Sequence, residues 1–360
     1  MKNNRRKFFK TIGLATAASM LGVLNPKQVS ASKKIKWKMV TSWPKNFPGL
    51  GAGAETLASY INQLSGGSLS VKVFGAGELV PPLGVFDYVS SGGAEMGHSG
   101  AYYWKGKTAA AQFFSSVPFG MTAQEMNSWL YYGGGLQLWE EVYKDFDLVP
   151  RPAGNTGVQM GGWFNKEINS TDDLNGLKMR IPGLGGEVLA RAGGTPFTLA
   201  GSEIFTSLQT GVIDATEWVG PYNDRAFGLH RAAQYYYYPG WHEPGPTLEC
   251  IINRQAYNKL SKQLQQIVDI ACKAANIDML SDYTSKNYQA LEFFQKEKIS
   301  IKQFPREVLV KLNKISDDVL LDLSLENNIS KKVYDSYTGF LKRVRPWTLI
   351  SEDGYLSSLK

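Results

Sequence analysis

Charged side chains stand at the ends of predicted strands, where they could bind a small anion. Arg180 ends the strand predicted for residues 177–181 and precedes a Pro-Gly turn. Its planar guanidinium offers two parallel donors that match a carboxylate, and it stays charged at any relevant pH. The helix predicted to start near Gly185 adds an N-terminus, which favours anions. The spacing indicates Arg180 as a carboxylate anchor, although a surface or interlobe ion pair would use the same residue.

A second group of side chains could bind a cation. Glu217 lies beside Trp218 at an otherwise apolar strand end, where an unpaired carboxylate is costly to bury. Glu243 and Gln159 supply further oxygen atoms. Hard cations such as Ca²⁺ prefer carboxylate and amide oxygens. These residues therefore predict a cation site. The alternative is that each glutamate accepts hydrogen bonds from local backbone N–H groups.

Two strings resemble enzyme motifs. Residues 97–101 (GHSGA) approach the nucleophile elbow of a hydrolase, with Ser99 as the nucleophile, but no glycine cluster for an oxyanion loop precedes them. A hydrolase using Ser99 is kept as the alternative function. Residues 183–186 (GLGG) approach a dinucleotide fingerprint, but the third glycine is misplaced. A helix start that faces a carboxylate explains these glycines better.

The cysteines and histidines argue against a structural zinc site, because they lack short metal-ligand spacing. The chain contains two cysteines and three histidines. Cys250 and Cys272 are predicted to be buried free thiols, and a disulfide between them stays open.

The N-terminus has the pattern of a twin-arginine secretion signal. Arg5 and Arg6 precede an apolar stretch over residues 12–24 and a small-residue cleavage site that ends at Ala31. Removal of residues 1–31 takes away six basic residues and no acid, so the formal charge falls from +7 to +1. The exported chain then has no basic stripe for nucleic acid. We expect a periplasmic protein without a transmembrane helix.

A weak internal repeat indicates two similar lobes. Residues 85–96 can be laid over residues 204–215, and each copy is typical of a helix, a glycine C-cap and a strand. Ligands of open α/β sheets bind at the carboxyl ends of strands. We therefore expect residues 98–104 and 217–222 to line one cleft between the lobes.

The pattern predicts an α/β protein of two lobes with the ligand cleft between them. Strand, helix and strand follow one another over residues 36–74, and a long amphipathic helix is predicted over residues 257–281. Removal of the signal leaves 329 residues, which is more than a single hydrophobic core usually supports. This length therefore favours two lobes. We predict that the signal covers residues 1–31, that residues 32–155 form the first part of the first lobe and that residues 156–242 form the second lobe. Residues 243–360 are predicted to return to the first lobe, with a helix that spans both lobes and a helical tail.

The chain resembles the substrate-binding subunits of tripartite ATP-independent periplasmic (TRAP) transporters. The resemblance covers the exported chain and is carried by the signal, residues 173–182 (DLNGLKMRIP), residues 211–218 and residues 241–243 (WHE). Within that family, residues 155–164 (NTGVQMGGWF) and the Glu-Trp pair at 217 and 218 are most similar to the subgroup that binds 2-oxo acids or lactate with a metal ion.

This resemblance implies a binding protein without catalysis. It implies that Arg180 holds a small monocarboxylate such as pyruvate or lactate, with Asn155, Tyr102 and Tyr103 as further ligand contacts. A cation, Na⁺ or Ca²⁺, is expected to bridge the ligand to Gln159, Glu217, the backbone carbonyl of Trp218 and Glu243. No organic cofactor is expected.

The resemblance also implies partners. The closed receptor is expected to deliver its ligand to the TRAP membrane subunits. Members of the subgroup can dimerise through C-terminal helices, and a homodimer would give Tyr334, Tyr337 and Phe340 of the tail a surface to cover.

Overall fold

The structure is a computed structural model that describes residues 34–359. The predicted signal over residues 1–31 lies outside the described residues. The strands are β1 (Ile35–Thr41), β2 (Leu69–Phe74), β3 (Met96–Ser99), β4 (Leu148–Asn155), β5 (Gly162–Phe164), β6 (Lys178–Arg180), β7 (Thr195–Phe197), β8 (Ala215–Thr216), β9 (Tyr235–Tyr238), β10 (Thr247–Asn253) and β11 (Ser300–Gln303).

The helices are α1 (Leu50–Leu64), α2 (Val85–Ser90), α3 (Ala123–Tyr132), α4 (Gly135–Val142), α5 (Gly183–Arg191), α6 (Gly201–Gln209), α7 (Pro221–Phe227), α8 (Arg254–Asn258), α9 (Lys262–Lys296), α10 (Arg306–Leu325), α11 (Asn328–Thr348) and α12 (Gly354–Ser357). Within residues 34–359, no helix combines the length and the apolar composition needed to cross a membrane.

Two mixed sheets organise the described chain. The first has the strand order β2-β1-β3-β10-β4, with β10 antiparallel to both of its neighbours. The second has the order β11-β9-β5-β8-β6-β7, with β5 antiparallel to β9 and β8. Each sheet thus contains both parallel pairs and one reversed strand.

The internal repeat is confirmed as two matching supersecondary units. In the first copy, α2 is followed by Gly92 at φ 82° and then by β3. In the second copy, α6 is followed by Gly211 at φ 75° and then by β8. A positive φ after a helix ends it and is readily adopted only by glycine. The two strands lie in different sheets, so the segments that follow them come from different halves of the fold.

Helix α9 packs against both sheets. Its 35 residues span about 52 Å at 1.5 Å per residue. Val268 and Ala271 pack in the core of the first sheet, while Tyr283 and Phe294 pack with Trp163 of the second. The helix therefore joins the two halves as a single rigid element.

Two boundaries differ from the sequence analysis. The long helix predicted from residue 257 is interrupted after α8, because the Ser261 hydroxyl accepts a hydrogen bond from the backbone N–H of Leu264 at 3.2 Å and caps a new helix. The sequence also predicts a strand over residues 158–164, but the strand in the structure is β5, which covers Gly162–Phe164 only. Residues 156–161 are not part of a strand, so Gln159 lies in the loop between β4 and β5.

The C-terminal part of the chain contacts both halves. Strand β11 pairs with β9 in the second sheet, although residues 243–360 were assigned to the first lobe. Tyr337 of α11 is 1% exposed, and its hydroxyl accepts a hydrogen bond from the backbone N–H of Met121 at 2.9 Å. This tail aromatic is therefore covered by its own chain. The predicted lobe boundaries stay a prediction.

Cys250 and Cys272 are both buried free thiols, as the sequence favoured. Burial raises the pKa of Cys250, with Cys272 as a neighbour. The thiols therefore act as small apolar groups between β10 and α9.

Candidate functional site

Arg180 and Glu217 lie on neighbouring strands at one end of the second sheet. Arg180 is the last residue of β6 and is in register with Thr216, the last residue of β8. The backbone N–H of Glu217 donates to the carbonyl oxygen of Arg180 at 3.2 Å. Both side chains are 1% exposed. The carboxyl ends of two parallel strands thus bring together an arginine and a glutamate that are far apart in sequence.

Each nitrogen of the Arg180 guanidinium donates a hydrogen bond within the protein, and one of its five N–H groups, on Nη2, is left for a ligand. Its Nη1 donates to a carboxylate oxygen of Glu217 and to that residue's carbonyl oxygen at 3.3 Å. Its Nε donates to the carbonyl oxygen of Leu199 at 3.2 Å, and its Nη2 donates to the Tyr103 hydroxyl at 3.2 Å. The Cζ atom lies 5.1 Å from the centroid of the Trp218 ring. Burial acts to lower the pKa of Arg180, but the Glu217 carboxylate raises it above its usual value. Arg180 is therefore a fixed, permanent cation.

Tyr102 and Tyr103 form the wall of the site from the first half. They lie in a short helical turn, Ala101–Trp104, directly after β3. Their ring centroids are 4.6 Å apart, and Tyr103 is 6.3 Å from the ring of Trp43. Burial raises the pKa of Tyr102 well above its usual value, so its hydroxyl stays protonated. As predicted, the segments after the two repeated strands meet.

The predicted cation ligands also converge. Gln159 Nε2 donates to Glu243 Oε2 at 2.8 Å, and the backbone N–H of Gln159 donates to the Glu243 carbonyl at 3.2 Å. Burial first and the nearby Glu217 carboxylate second raise the pKa of Glu243, while Arg180 lowers it. Within the described residues, the buried Oε1 of Gln159 has no hydrogen-bond partner.

The donor set fits a hard cation. Two buried carboxylates face a single guanidinium, and buried charges are stable only when they are balanced. Glu217, Glu243 and the free Gln159 Oε1 are the oxygen donors that Na⁺ or Ca²⁺ would take. The chemistry of these residues therefore agrees with the predicted site.

His242 belongs to the same cluster, although its sequence motif, residues 241–243, gave it no role as a ligand. One ligand atom each of Glu217, His242 and Glu243 lies within 4.8 Å of the others. His242 Nε2 is 3.4 Å from Glu217 Oε2. His242 and Glu217 are brought together only by the fold, so the sequence pointed to His242 only through its neighbour Glu243.

Asn155 has a structural role that its sequence context did not reveal. Its Oδ1 accepts the backbone N–H of Gly157 at 2.8 Å, and its Nδ2 donates to the Gly245 carbonyl at 3.0 Å. These bonds hold the end of β4 against the segment that precedes β10. A direct contact between Asn155 and a ligand stays a prediction.

Ser99 is not paired with a base. Its hydroxyl is 2.6 Å from the Ser42 hydroxyl. The neighbouring His98 accepts a hydrogen bond from Trp43 Nε1 at 2.8 Å, and its Nε2 lies 3.2 Å from the Ala153 carbonyl. Burial lowers the pKa of His98 to about 4. Both ring nitrogens are thus occupied, and the serine lacks the adjacent base that nucleophilic catalysis needs.

The glycine string at residues 183–186 serves close packing. Gly183 has φ 62°, and a Cβ atom there would lie 3.0 Å from the Cβ of Tyr102. Helix α5 can therefore start directly against the Tyr102 turn. This contact explains the glycines without a dinucleotide.

Residues 39–326 match the family model described as DctP, bacterial extracellular solute-binding protein, family 7. The chain belongs to this family. A DctP-family relative is the monocarboxylate 2-oxoacid-binding periplasmic protein of Nostoc sp., which is 43% identical over 98% of this chain and 97% of its own length. The resemblance to TRAP substrate-binding subunits is confirmed.

Solved structures of TRAP periplasmic solute-binding proteins match the whole described fold. The Colwellia psychrerythraea protein, solved with calcium and pyruvate, is 41% identical with a TM-score of 0.88, over 91% of this chain and 100% of that one. The Pseudoalteromonas atlantica protein, solved with sodium and pyruvate, is 42% identical with a TM-score of 0.89 over the same shares, 91% and 100%. The predicted two-lobed α/β fold of the family is confirmed.

Proposed function

We propose that this DctP-family chain is the periplasmic receptor of a TRAP transporter and binds a small monocarboxylate with a cation. The ligand class is a 2-oxo acid such as pyruvate, or lactate, and the cation is Na⁺ or Ca²⁺. One observation carries the proposal: a buried guanidinium at the end of β6 shares a cluster with two buried carboxylates and a free amide oxygen. Relatives that are more than 40% identical were solved with pyruvate and either cation.

The number of buried arginines supports one carboxylate rather than two. Among residues 34–359, Arg180 is the only arginine that is buried. A guanidinium matches one carboxylate in a bidentate pair, and a second ligand carboxylate would need another cation. A monocarboxylate therefore fits the charge of the site better than a dicarboxylate does.

The residues have separate tasks in this proposal. Arg180 and the Tyr103 hydroxyl orient the ligand carboxylate. Gln159, Glu217, the Trp218 carbonyl and Glu243 would hold the cation, whose charge would offset the second carboxylate of the cluster. Aromatic rings around these groups exclude water, which strengthens each charge pairing. Recognition requires no bond to be made or broken, so we propose a receptor without catalytic activity.

The two halves contribute different parts of the site. Arg180 and Glu217 come from the second sheet, and Tyr102 and Tyr103 follow a strand of the first. Gln159 lies on the segment that leads from one sheet to the other. Closure of the halves over a ligand would therefore assemble the site, and the closed form is the form that we propose the TRAP membrane subunits recognise.

A homodimer through the C-terminal segment forms part of the proposal. Beyond Tyr337, the described chain has no buried residue, and large apolar side chains are exposed. They include Trp347 at 68%, Ile350 at 75% and Leu356 at 58% exposure. Contiguous exposed apolar side chains are typical of protein interfaces. A second copy of the same segment would cover them symmetrically.

A thermal-shift series tests the ligand class. The protein is dialysed into a sodium-free buffer with a chelator and then melted with pyruvate, a branched 2-oxo acid, lactate or succinate, each with Na⁺, with Ca²⁺ or with neither. We expect the melting temperature to rise with the monocarboxylates and a cation, because binding to the folded state alone stabilises it. A rise with succinate alone would contradict the proposed ligand class.

A further inference from the structure

His242 has two buried nitrogen atoms that the rest of the described chain does not satisfy. The side chain is 2% exposed, and neither ring nitrogen has a hydrogen-bond partner among residues 34–359. A neutral imidazole carries one donor and one acceptor. A buried polar group without a partner is destabilising, so folded proteins rarely retain two on one side chain. His98, which is equally buried, has both of its nitrogens engaged.

The His242 imidazole and the Arg180 guanidinium lie next to different oxygen atoms of the Glu217 carboxylate. His242 Nε2 is 3.4 Å from Glu217 Oε2, whereas Arg180 donates to Oε1 of the same carboxylate. The guanidinium and the imidazole therefore flank one carboxylate. A short acid anchored on Arg180 and on a cation at Glu217 would therefore extend toward the His242 ring.

Packing fixes the position of this ring. It makes an edge contact with Trp241 at 5.4 Å between centroids, and Trp241 stacks on Phe119 at 5.8 Å. On the other side, a Cβ atom at Gly185 would lie 2.9 Å from the Cβ of His242. Helix α5 approaches the histidine so closely because residue 185 is glycine. The imidazole is therefore held in place before a ligand arrives, which reduces the entropy cost of binding.

We propose that His242 hydrogen-bonds the oxygen on C2 of the bound acid. This inference rests on the proposed function, in which Arg180 and the cation account for the carboxylate. The C2 oxygen is then the remaining polar atom of pyruvate or lactate. A neutral imidazole donates to a carbonyl oxygen and accepts from a hydroxyl group, so it serves both classes. His242 thus selects acids that carry an oxygen on C2 against plain short fatty acids.

Calorimetric titration of two variants tests the assignment. The wild-type protein, His242→Phe and His242→Asn are titrated with pyruvate and with propionate, which lacks the C2 oxygen, at saturating Ca²⁺. We expect His242→Phe to bind pyruvate about tenfold more weakly, the effect of one lost hydrogen bond at a buried oxygen. Propionate affinity should stay within about twofold, because propionate does not make this bond. His242→Asn, which keeps a donor and an acceptor, should recover most of the pyruvate affinity.

His230→Phe is the matched control and should bind like wild type, because His230 is half-buried and lies beside Phe293 and Phe294, away from the cluster. An equal loss for pyruvate and propionate in His242→Phe would indicate a structural or cation-binding role and overturn the inference. Unchanged pyruvate affinity in that variant would also overturn it. A wild-type protein that binds no 2-oxo acid would overturn the proposed function itself, which is a separate result.

Discussion

Arg180 and Glu217 are joined through both backbone and side chain. The Glu217 N–H donates to the Arg180 carbonyl at 3.2 Å, and the Arg180 guanidinium donates to the Glu217 carboxylate. The sequence assigned these residues to two separate ligands, an anion and a cation. Their direct contact has two consequences: the Glu217 carboxylate raises the pKa of Arg180, and the guanidinium balances the charge of one of the two buried carboxylates.

Arg180→Lys tests the carboxylate anchor while keeping a positive charge beside Glu217. We expect pyruvate affinity to fall about tenfold or more, because lysine lacks the bidentate fork and a charge-assisted contact contributes about 1.5–3 kcal/mol. Isothermal titration measures the change. Arg191→Lys is the matched control, since Arg191 forms an exposed ion pair with Asp322. Equal affinities of Arg180→Lys and wild type would remove Arg180 from the ligand site.

Glu217→Gln tests the cation site. The variant keeps an oxygen acceptor for Arg180 but removes a negative charge from the predicted ligand set. We expect the Ca²⁺ concentration needed for half-maximal pyruvate binding to rise at least tenfold, since hard cations depend on carboxylate charge. Glu187→Gln is the control, because Glu187 pairs with Lys105 on the surface. An unchanged Ca²⁺ requirement would exclude Glu217 as a cation ligand.

Glu249 predicts a specific pH dependence of stability. Burial raises its pKa to about 7 from the usual 4.5, although hydrogen bonds from Trp104 and Tyr143 act to lower the pKa. Between about pH 4.5 and 7, the folded state keeps a proton on Glu249 that the unfolded state has already released. The free energy of unfolding therefore falls as the pH rises through this window, and Glu249 has no further effect on it above pH 7.

Glu249→Gln removes this titration. Relative to wild type, the variant's free energy of unfolding should increase by up to about 3 kcal/mol from pH 4.5 to pH 7.5, at about 1.4 kcal/mol for each unit of pKa shift. Urea denaturation at several pH values measures the difference. A difference that stays constant over this range would show that Glu249 has an ordinary pKa.

The C-terminal segment predicts the oligomeric state. We expect the wild-type protein to sediment as a dimer at micromolar concentration, and the double substitution Trp347→Ser with Ile350→Ser to sediment as a monomer, because both side chains are exposed and apolar. Tyr132→Ser is the control, since Tyr132 is 94% exposed on a different helix. A monomeric wild-type protein would contradict the proposed dimer.

Features with a local cause could be predicted from the sequence. Strands β1 and β2 follow from alternating apolar residues, and α1 from apolar residues at helical spacing. The repeat around Gly92 and Gly211 was visible because each copy contains its own helix, cap and strand. Arg180 and Glu217 stood out because charged residues at the ends of apolar strands need a partner.

Features that depend on contacts between residues far apart in the sequence could not be predicted from it. Helix α9 continues past Ser281 because Tyr283, Ala290 and Phe294 pack against the second sheet, but polar residues between them hide this stripe in the sequence. The place of His242 in the site could not be predicted, because only the folded chain brings it beside Glu217. Asn155 was assigned to the ligand, yet its Nδ2 donates to the backbone carbonyl of Gly245, which lies 90 residues away in the sequence.

Titration of the purified protein with pyruvate, before and after exhaustive removal of cations, tests the central claim most directly. We predict binding that is lost in a sodium-free buffer with a chelator and restored by Na⁺ or Ca²⁺, because Glu217 and Glu243 would otherwise face the ligand carboxylate with an excess of negative charge. Tight pyruvate binding that survives removal of both cations, or no binding of pyruvate or lactate with either cation, would contradict it.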